Sequence, residues 1–317
     1  KTTIEDIDVI KIKKWLKDEK YQEFRGEILE LILRENWSEL EDSFFKVLEF
    51  GTAGRRGKVG AGPNRLNRIA VAESAQALAN YLAENSENLD LSVAIAYDVR
   101  NSSSDFARTT AEVLAGNGVR VFMFDGARST PELSFAVREL GAAAGIVISA
   151  SHNPPEDNGI KVYWNDGAQI SSPHDKNLMK IAAEISQIKS ENFEAAVQSG
   201  KINLLGQDFD EKYFQAVLKN SVSGACGAEI VFSPIHGTGK TNLLPVLRRA
   251  GFEKISIVDE QFEFDGNFST VFEQKPNPEN PRANEMAIVQ LLAENADIAL
   301  TTDPDADRIC VISREKN

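Results

Sequence analysis

Short apolar runs alternate with amphipathic, helix-like stretches in two successive blocks of the chain. In the first block the predicted strands lie at residues 92–97, 119–124 and 145–149, with a further strand-like segment at 160–164. In the second block they lie at residues 229–232, 254–258, 296–300 and 308–313. Apolar strands separated by helices are typical of βαβ units that build a mainly parallel sheet. We therefore expect an α/β protein of two consecutive α/β/α sandwich domains with mixed, mainly parallel sheets.

Apolar residues at helical spacing accompany both blocks and also precede them. The predicted helices lie at 64–84, 104–114, 130–140, 175–188, 210–218, 240–250 and 284–294. Residues 4–49 predict a separate helical layer, the polar stretch 189–204 separates the two blocks, and the proline-rich stretch 272–283 predicts an irregular loop. The division that follows is an N-terminal helical segment 1–50, a first α/β domain 51–203 and a second α/β domain 204–317.

The overall negative charge limits the kinds of molecule that this protein is expected to bind. The 317 residues carry a formal net charge of −13, which argues against nucleic acid as the main partner because phosphate backbones require a basic face. The N-terminus is charged, and no apolar stretch approaches the roughly 18–20 residues of a membrane span. We therefore expect a soluble cytoplasmic protein with no membrane partner. Cys226 and Cys310 show no paired-spacing motif and are expected to be reduced.

A polar turn of Ser, His, Asn and two Pro residues follows the predicted strand 145–149. Ligands in open α/β sheets are held beyond the carboxyl ends of strands, so the hydroxyl of Ser151 and the imidazole of His152 are candidate functional groups. Lys161 follows an Asn-Gly turn, and a hairpin-like return of the chain would bring its ammonium beside Ser151. Ser, His, Asn and Pro are also ordinary turn residues, and most such clusters are plain loops.

Three aspartates, Asp303, Asp305 and Asp307, follow the predicted strand 296–300. In an extended loop, residues at i, i+2 and i+4 point to one side, and carboxylates held together without a cation repel one another. A hard divalent cation with oxygen ligands accounts for the pattern. A calcium EF-hand does not fit, because arginines stand where its glycine and glutamate are required. Mg²⁺ fits better, and a solvated acidic turn is the alternative.

A glycine-rich basic stretch, FGTAGRRG at residues 50–57, precedes the first block. Glycines allow the backbone to approach a ligand closely, and the guanidinium groups of Arg55 and Arg56 match phosphate geometry. The stretch is neither a P-loop nor a dinucleotide-binding fingerprint. It is either a phosphate-contacting loop or a flexible surface loop.

These segments together resemble the α-D-phosphohexomutases, the family of phosphoglucomutase, phosphomannomutase and their relatives. SASHNPPEDNGIKVY is similar to the family's phosphoserine loop, DPDADR to its metal-binding loop and GTAGRRG to the N-terminal loop that brings an arginine to the active site. KVYWNDGAQI and SPIHGTG are closest to the phosphoglucomutase branch that includes phosphopentomutases. Arg55 stands where an apolar residue is usual and Ser149 where Thr is usual, and neither departure removes a reacting group.

The resemblance implies a phosphoryl shuttle between the two domains. Ser151 would be the phosphoserine that gives its phosphoryl group to a hexose phosphate and takes the other phosphoryl group back from the resulting bisphosphate. One Mg²⁺ per chain would lie on the Ser151 phosphate and on the three aspartates, where it would neutralise charge on the transferring group. Lys161 would act as the general acid and base.

The remaining implied roles concern orientation and substrate phosphate. His152 would orient the serine loop, while Arg56 and Arg308 would bind phosphate. The implied small molecules are a phosphosugar and glucose 1,6-bisphosphate, the latter as intermediate and activator. The family has four domains and this sequence matches the first two, so we expect domains III and IV to be absent and the isolated chain to have negligible mutase turnover.

The favoured function is therefore a phosphohexomutase, with phosphoglucomutase as the leading activity. Phosphomannomutase, phosphopentomutase and sugar-bisphosphate synthase are alternatives on the same machinery, since the sugar-recognition loop of the family lies in its third domain. A non-catalytic Mg²⁺- or phosphate-binding module is the alternative from another class. The intact Ser151, Lys161 and aspartate triad argue against it.

Overall fold

The computed structural model describes residues 8–51, 54–85, 91–222, 224 and 227–314. The N-terminal part is helical, as its pattern predicts. Its elements are α1 (Val9–Lys17), a 3₁₀ helix (Glu19–Phe24), α2 (Arg25–Leu33) and α3 (Trp37–Phe44). Trp15 stacks on Tyr21 with ring centroids 4.1 Å apart, and both side chains are buried in one apolar cluster. The predicted helical residues 4–7, together with Thr52, Ala53 and Cys226, lie outside the described residues.

The first α/β unit contains a six-stranded mixed sheet. Its elements in chain order are β1 (Gly54–Lys58), α4 (Arg68–Asn85), β2 (Ser92–Tyr97), α5 (Ser103–Gly116), β3 (Arg120–Phe124), α6 (Thr130–Glu139), β4 (Ala144–Ile148), β5 (Asp157–Trp164), α7 (His174–Ala183), α8 (Phe193–Gln198) and β6 (Ile202–Leu205). The strand order is β1-β5-β4-β2-β3-β6, with β5 antiparallel to both of its neighbours and the other pairs parallel.

The second α/β unit contains a four-stranded sheet of order β10-β9-β7-β8. Its elements are α9 (Gln207–Leu218), β7 (Ile230–Ser233), α10 (Gly239–Arg249), β8 (Ile255–Ile257), α11 (Glu285–Glu294), β9 (Ile298–Thr302) and β10 (Ile309–Ser313), with short 3₁₀ helices at Asp259–Gln261, Phe272–Gln274 and Pro281–Asn284. β10 runs antiparallel to β9, and the other pairs are parallel. The predicted fold class, two α/β/α domains with mixed, mainly parallel sheets, is confirmed.

Two strands of the first sheet lie where the sequence predicts loops. The glycine-rich basic stretch forms β1 because its backbone pairs with β5, Arg56 opposite Gly159; a Cβ on Gly54 would collide with the backbone of Ile160. The polar stretch around the predicted boundary contributes β6, which pairs with β3 and extends the first sheet to residue 205. Tertiary pairing therefore overrides local polarity at both edges of the sheet.

The element ends differ from the sequence-based bounds in a few places. The helix predicted at 175–188 ends at Ala183, and the helix predicted at 64–84 begins at Arg68. The loop predicted at 272–283 is irregular apart from two short 3₁₀ turns. Cys310 on β10 is a free thiol. Across the described ranges, no helix has both the length and the apolarity needed to cross a bilayer.

The two units meet at the carboxyl ends of their central strands. The backbone N–H of Thr130, the first residue of α6, donates to the carbonyl of Asp305 at 2.9 Å. Asn101 Nδ2 donates to Asn267 Oδ1 at 2.8 Å. Gly266 packs so closely on the 99–101 turn that a Cβ there would lie 2.5 Å from Asn101 Oδ1. The loops that follow β2 and β3 are thereby held against the loops of the second unit that follow β8 and β9.

We expect Leu133→Ala to lower the free energy of unfolding by about 2–5 kcal/mol, because Leu133 is fully buried under the first sheet and its loss leaves a cavity. Leu33→Ala is the matched control, since that leucine is 83% exposed; it should change stability by no more than about 0.5 kcal/mol. Urea unfolding followed by circular dichroism measures both. Equal effects of the two substitutions would contradict the burial of Leu133 under the first sheet.

Candidate active site at the junction of the two domains

The backbone of Ser151 is held in a conformation that non-glycine residues rarely adopt. Its φ is +53°, in the left-handed region, where such strain costs about 1–3 kcal/mol and persists only when the surroundings enforce it. The Ser151 N–H donates to Ser149 Oγ at 2.8 Å, and its carbonyl accepts from Arg100 Nη2 at 2.6 Å. The turn after β4 therefore presents the Ser151 hydroxyl in a fixed direction.

The Ser151 hydroxyl faces the second domain. Oγ donates to Asp303 Oδ2 at 2.8 Å and lies 3.2 Å from His152 Nδ1. Burial, together with the charges of Arg308 and Arg56, lowers the pKa of His152. The lowered pKa favours the neutral imidazole, and its Nδ1 lies within hydrogen-bond reach of the serine hydroxyl.

Lys161 points to the same aspartate loop from β5. Its Nζ donates to Asp305 Oδ2 at 2.7 Å and lies 3.9 Å from Asp307 Oδ2. The hairpin of β4 and β5, with Lys161 opposite Val147, produces this placement. The sequence predicts that the Lys161 ammonium lies beside Ser151. In the structure its partners are the carboxylates of Asp305 and Asp307, and the loop that carries them also contacts Ser151.

The aspartates converge because their loop is a turn, and the extended loop expected from the sequence is wrong. The Ala306 N–H donates to the Asp303 carbonyl at 3.0 Å, and Ala306 has a φ of +50°. One carboxylate oxygen from each of Asp303, Asp305 and Asp307 lies within 4.8 Å of the others. The folded turn, more than alternation along a strand, brings the three carboxylates to one side.

The three carboxylates have different electrostatic surroundings. Burial, with the charges of Asp305 and Asp307 added to it, raises the pKa of Asp303 to about 9. Burial opposes ionisation of Asp305 too, but the Lys161 ammonium and the Thr130 hydroxyl outweigh it and lower the pKa of Asp305 to about 2. Burial and the Asp305 charge raise the pKa of Asp307.

The hydrogen bonding of Asp305 independently supports a divalent cation bound by the three aspartates. Asp305 Oδ2 is engaged by Lys161 Nζ and by Thr130 Oγ1 at 2.8 Å, whereas Asp305 Oδ1 is buried with no hydrogen-bond donor among the described residues. Unpaired buried polar atoms are costly. An oxygen-ligated cation held by Asp303, Asp305 and Asp307 would satisfy that atom, and hard cations such as Mg²⁺ prefer these ligands.

The two arginines singled out in the sequence lie at the edge of this site. Arg56 Nη1 donates to Asn153 Oδ1 at 3.3 Å on the serine loop. Arg308 donates its backbone N–H to Asp303 Oδ1 at 3.1 Å and pairs its guanidinium with Glu279 at 3.0 Å. Both contribute charge at His152. Arg55 differs: alternation on β1 turns it inward, where it donates to the Ala70 carbonyl at 2.8 Å.

Sequence reasoning does not find three residues that hold the site together. Thr130 donates a hydrogen bond to the Asp305 carboxylate, and Arg100 donates to the Ser151 carbonyl in the serine loop. Thr238 donates both its N–H and its Oγ1–H to the Pro304 carbonyl at 2.9 Å. The only available signal is position, since Arg100 and Thr238 follow strands at the sheet edge where ligands bind; Thr130 opens a helix and carries no such signal.

Comparison with known proteins identifies two family models in the chain. The model described as phosphoglucomutase/phosphomannomutase, alpha/beta/alpha domain I, matches residues 47–189, and the corresponding domain II model matches residues 211–316. The site residues described above fall within these two matches.

Curated relatives and solved structures carry related descriptions. Phosphoglucomutases of Staphylococcus haemolyticus (strain JCSC1435) and Staphylococcus aureus (strain N315) are each 36% identical to this chain over 87% of its length, and the chain spans about half (50%) of each of them. The crystal structure of a Thermus thermophilus protein described as a phosphomannomutase superposes with a TM-score of 0.71 at 28% identity, covering 84% of this chain and 57% of that one. A Burkholderia thailandensis family member shares the fold, with a TM-score of 0.66 at 22% identity over 83% of this chain and 54% of that one.

Because the pKa of Asp303 is raised, we expect the free energy of unfolding to depend on pH and on bound Mg²⁺. The folded protein retains a proton on Asp303 that the unfolded chain releases above its ordinary pKa of 3.8, so this contribution to stability is lost as the pH rises toward about 9. In EDTA, Asp303→Asn should therefore be more stable than wild type at pH 8 and closer to it at pH 5. Urea unfolding at the two pH values measures the difference.

Mg²⁺ should narrow the difference in stability between Asp303→Asn and wild type at pH 8. At about 100 times its dissociation constant it should stabilise the wild type by about 2.7 kcal/mol and stabilise Asp303→Asn much less. Asp259→Asn, at an exposed aspartate, is the control and should respond to Mg²⁺ as wild type does. A wild-type free energy of unfolding that Mg²⁺ leaves unchanged at pH 8 would contradict a metal site on this loop.

Proposed function

Because the chain belongs to the phosphoglucomutase/phosphomannomutase family, we propose that it carries the phosphoserine and metal-binding half of a phosphohexomutase. The observation that carries the proposal is the 2.8 Å hydrogen bond from Ser151 Oγ to Asp303 Oδ2. In this bond the Ser151 hydroxyl, which we propose as the nucleophile, lies against the candidate cation site of the other domain. Phosphoryl transfer depends mainly on such positioning and on electrostatic stabilisation.

The reaction proposed for the whole protein interconverts hexose 1-phosphate and hexose 6-phosphate. When the serine becomes phosphorylated, Ser151 Oγ forms a bond to phosphorus of the sugar bisphosphate, and the bond from phosphorus to the sugar oxygen breaks. The hydroxyl proton of Ser151 passes to His152 Nδ1, which lies 3.2 Å from Oγ, and the sugar oxygen takes up a proton from Lys161. The reverse transfer to the other sugar hydroxyl restores both protons to their starting groups.

A divalent cation bound by the aspartate triad would neutralise negative charge on the transferring phosphoryl group. The chain's own residues do the remaining work in this proposal. His152, neutral and 3.2 Å from Ser151 Oγ, orients the hydroxyl. Arg56 and Arg308 border the same face and bind the phosphate groups of the sugar; for Arg308 this requires that the phosphate displace Glu279 from its guanidinium.

Glucose phosphates are the proposed substrates, with glucose 1,6-bisphosphate as the intermediate. The support is the 36% identity to proteins named phosphoglucomutase. Phosphomannomutase is the second candidate, because the Thermus thermophilus neighbour at 28% identity carries that description. Labelling experiments with glucose and mannose bisphosphates side by side would separate the two.

We expect the chain to gain one phosphoryl group when incubated with glucose 1,6-bisphosphate and Mg²⁺, and Ser151→Ala to gain none, because it lacks the nucleophilic oxygen. Ser171→Ala, at an exposed serine, is the matched control and should be labelled like wild type. Intact-protein and peptide mass spectrometry measure both the gain and its position. A phosphoryl group on any other residue, or persistent labelling of Ser151→Ala, would require a different nucleophile.

A further inference from the structure

The guanidinium of Arg100, in the turn after β2, is directed at the serine loop. Nη2 donates to the carbonyls of Ser151 and Asn153, each at 2.6 Å. Nη1 donates to the carbonyls of Pro154 at 2.7 Å and Asp157 at 2.9 Å. Four carbonyls of one short loop are thus fixed by the rigid fork of a single side chain, an arrangement that a lysine ammonium cannot reproduce.

Arg100 is itself immobilised from both domains. Its Nε lies 3.2 Å from Asp98 Oδ2, and neither side chain is exposed. Asp98 Oδ1 accepts from Ser103 Oγ at 2.6 Å and from the Arg100 N–H at 3.0 Å. The guanidinium also lies over the ring of Phe268 in the second domain, 5.2 Å from the ring centroid. The Arg100 side chain therefore contacts both the serine loop and the second domain.

These contacts converge on the strained residue of the loop. The Ser151 peptide is held on its N–H side by Ser149 Oγ and on its carbonyl side by Arg100, which maintains the φ of +53° that directs Oγ at Asp303. We propose that Arg100 is a positioning residue for phosphoryl transfer, which acts with Ser149 by locking the Ser151 backbone in the orientation that presents its hydroxyl to the aspartate triad.

A purely structural role is the competing explanation. A buried ion pair such as Arg100–Asp98 contributes little net stability, because desolvation of two charges offsets their attraction. The distribution of contacts also favours positioning: all four side-chain donations to carbonyls go to residues 151–157. A misplacement of about 1 Å in a reacting group lowers a rate on the order of 10²-fold, so a small relaxation of this loop has a large kinetic consequence.

The experiment rests on the proposed function and uses Arg100→Lys, which keeps the charge facing Asp98 and loses the fork. We expect the rate of Ser151 phosphorylation at saturating glucose 1,6-bisphosphate to fall on the order of 10²-fold. The bisphosphate concentration at half-maximal rate and the affinity for Mn²⁺ should stay at wild-type values, because Arg100 contacts neither ligand site. Arg65→Lys is the matched control: Arg65 is equally buried and pairs with Glu39 and Asp42, away from the loop.

A second pair of variants covers the case in which Arg100→Lys fails to fold. Ser149→Ala removes the acceptor for the Ser151 N–H and should slow phosphorylation in the same way, whereas Ser149→Thr keeps the hydroxyl and should restore the wild-type rate. Wild-type rates in both Arg100→Lys and Ser149→Ala, or a loss of rate in Arg65→Lys equal to that in Arg100→Lys, would overturn the positioning role.

Hydrogen exchange separates this inference from the proposed function. If the wild type takes up no phosphoryl group, the proposed function fails. The positioning of the serine loop by Arg100 is then decided by exchange of the Asn153 and Asp157 amides, which donate to the Ala150 and Pro154 carbonyls. Arg100→Lys should expose these amides while Arg65→Lys leaves them protected. Equal protection in the two variants would overturn the inference.

Discussion

The ion pair between Lys161 of the first domain and Asp305 of the second is the interaction on which the rest of the site depends. Asp305 is fully buried, and an unpaired charge there would cost several kcal/mol. Lys161 Nζ at 2.7 Å and Thr130 Oγ1 at 2.8 Å share one of its oxygens, and the other remains available to a cation. Lys161 and Thr130 both belong to the first domain. Because they compensate the buried carboxylate of Asp305, they also fix the aspartate loop of the second domain against the first.

Each candidate reacting group is held by neighbours that take no direct part in the proposed chemistry. Arg100 and Ser149 hold the strained backbone of Ser151, and Thr238 holds the Pro304 carbonyl inside the aspartate turn. Each of these contacts lies within one domain, whereas the Ser151–Asp303 and Lys161–Asp305 bonds cross the domain junction. Rigid support of this kind is what phosphoryl transfer requires, because positioning and electrostatics supply most of its rate.

The sequence predicts the apolar core strands well because each is a short apolar run between helical stretches. It misses β1 and β6, since a glycine-rich or polar segment becomes a strand only through pairing that the sequence does not display. The aspartate spacing identifies the carboxylate cluster, yet the convergence comes from a turn. The contact of Thr130 with Asp305 spans 175 positions; no local pattern encodes it, whereas the family resemblance supplies the pairing of the two loops.

The most direct test of the account is an anomalous-difference map from crystals of this chain grown with Mn²⁺ in place of Mg²⁺. We expect one strong peak at the domain junction, roughly 2.0–2.6 Å from carboxylate oxygens of Asp303, Asp305 and Asp307 and facing the Ser151 hydroxyl. A map with no peak at the triad, or with the cation bound on the side of the loop remote from Ser151, would contradict a shared site formed by the serine of one domain and the aspartates of the other.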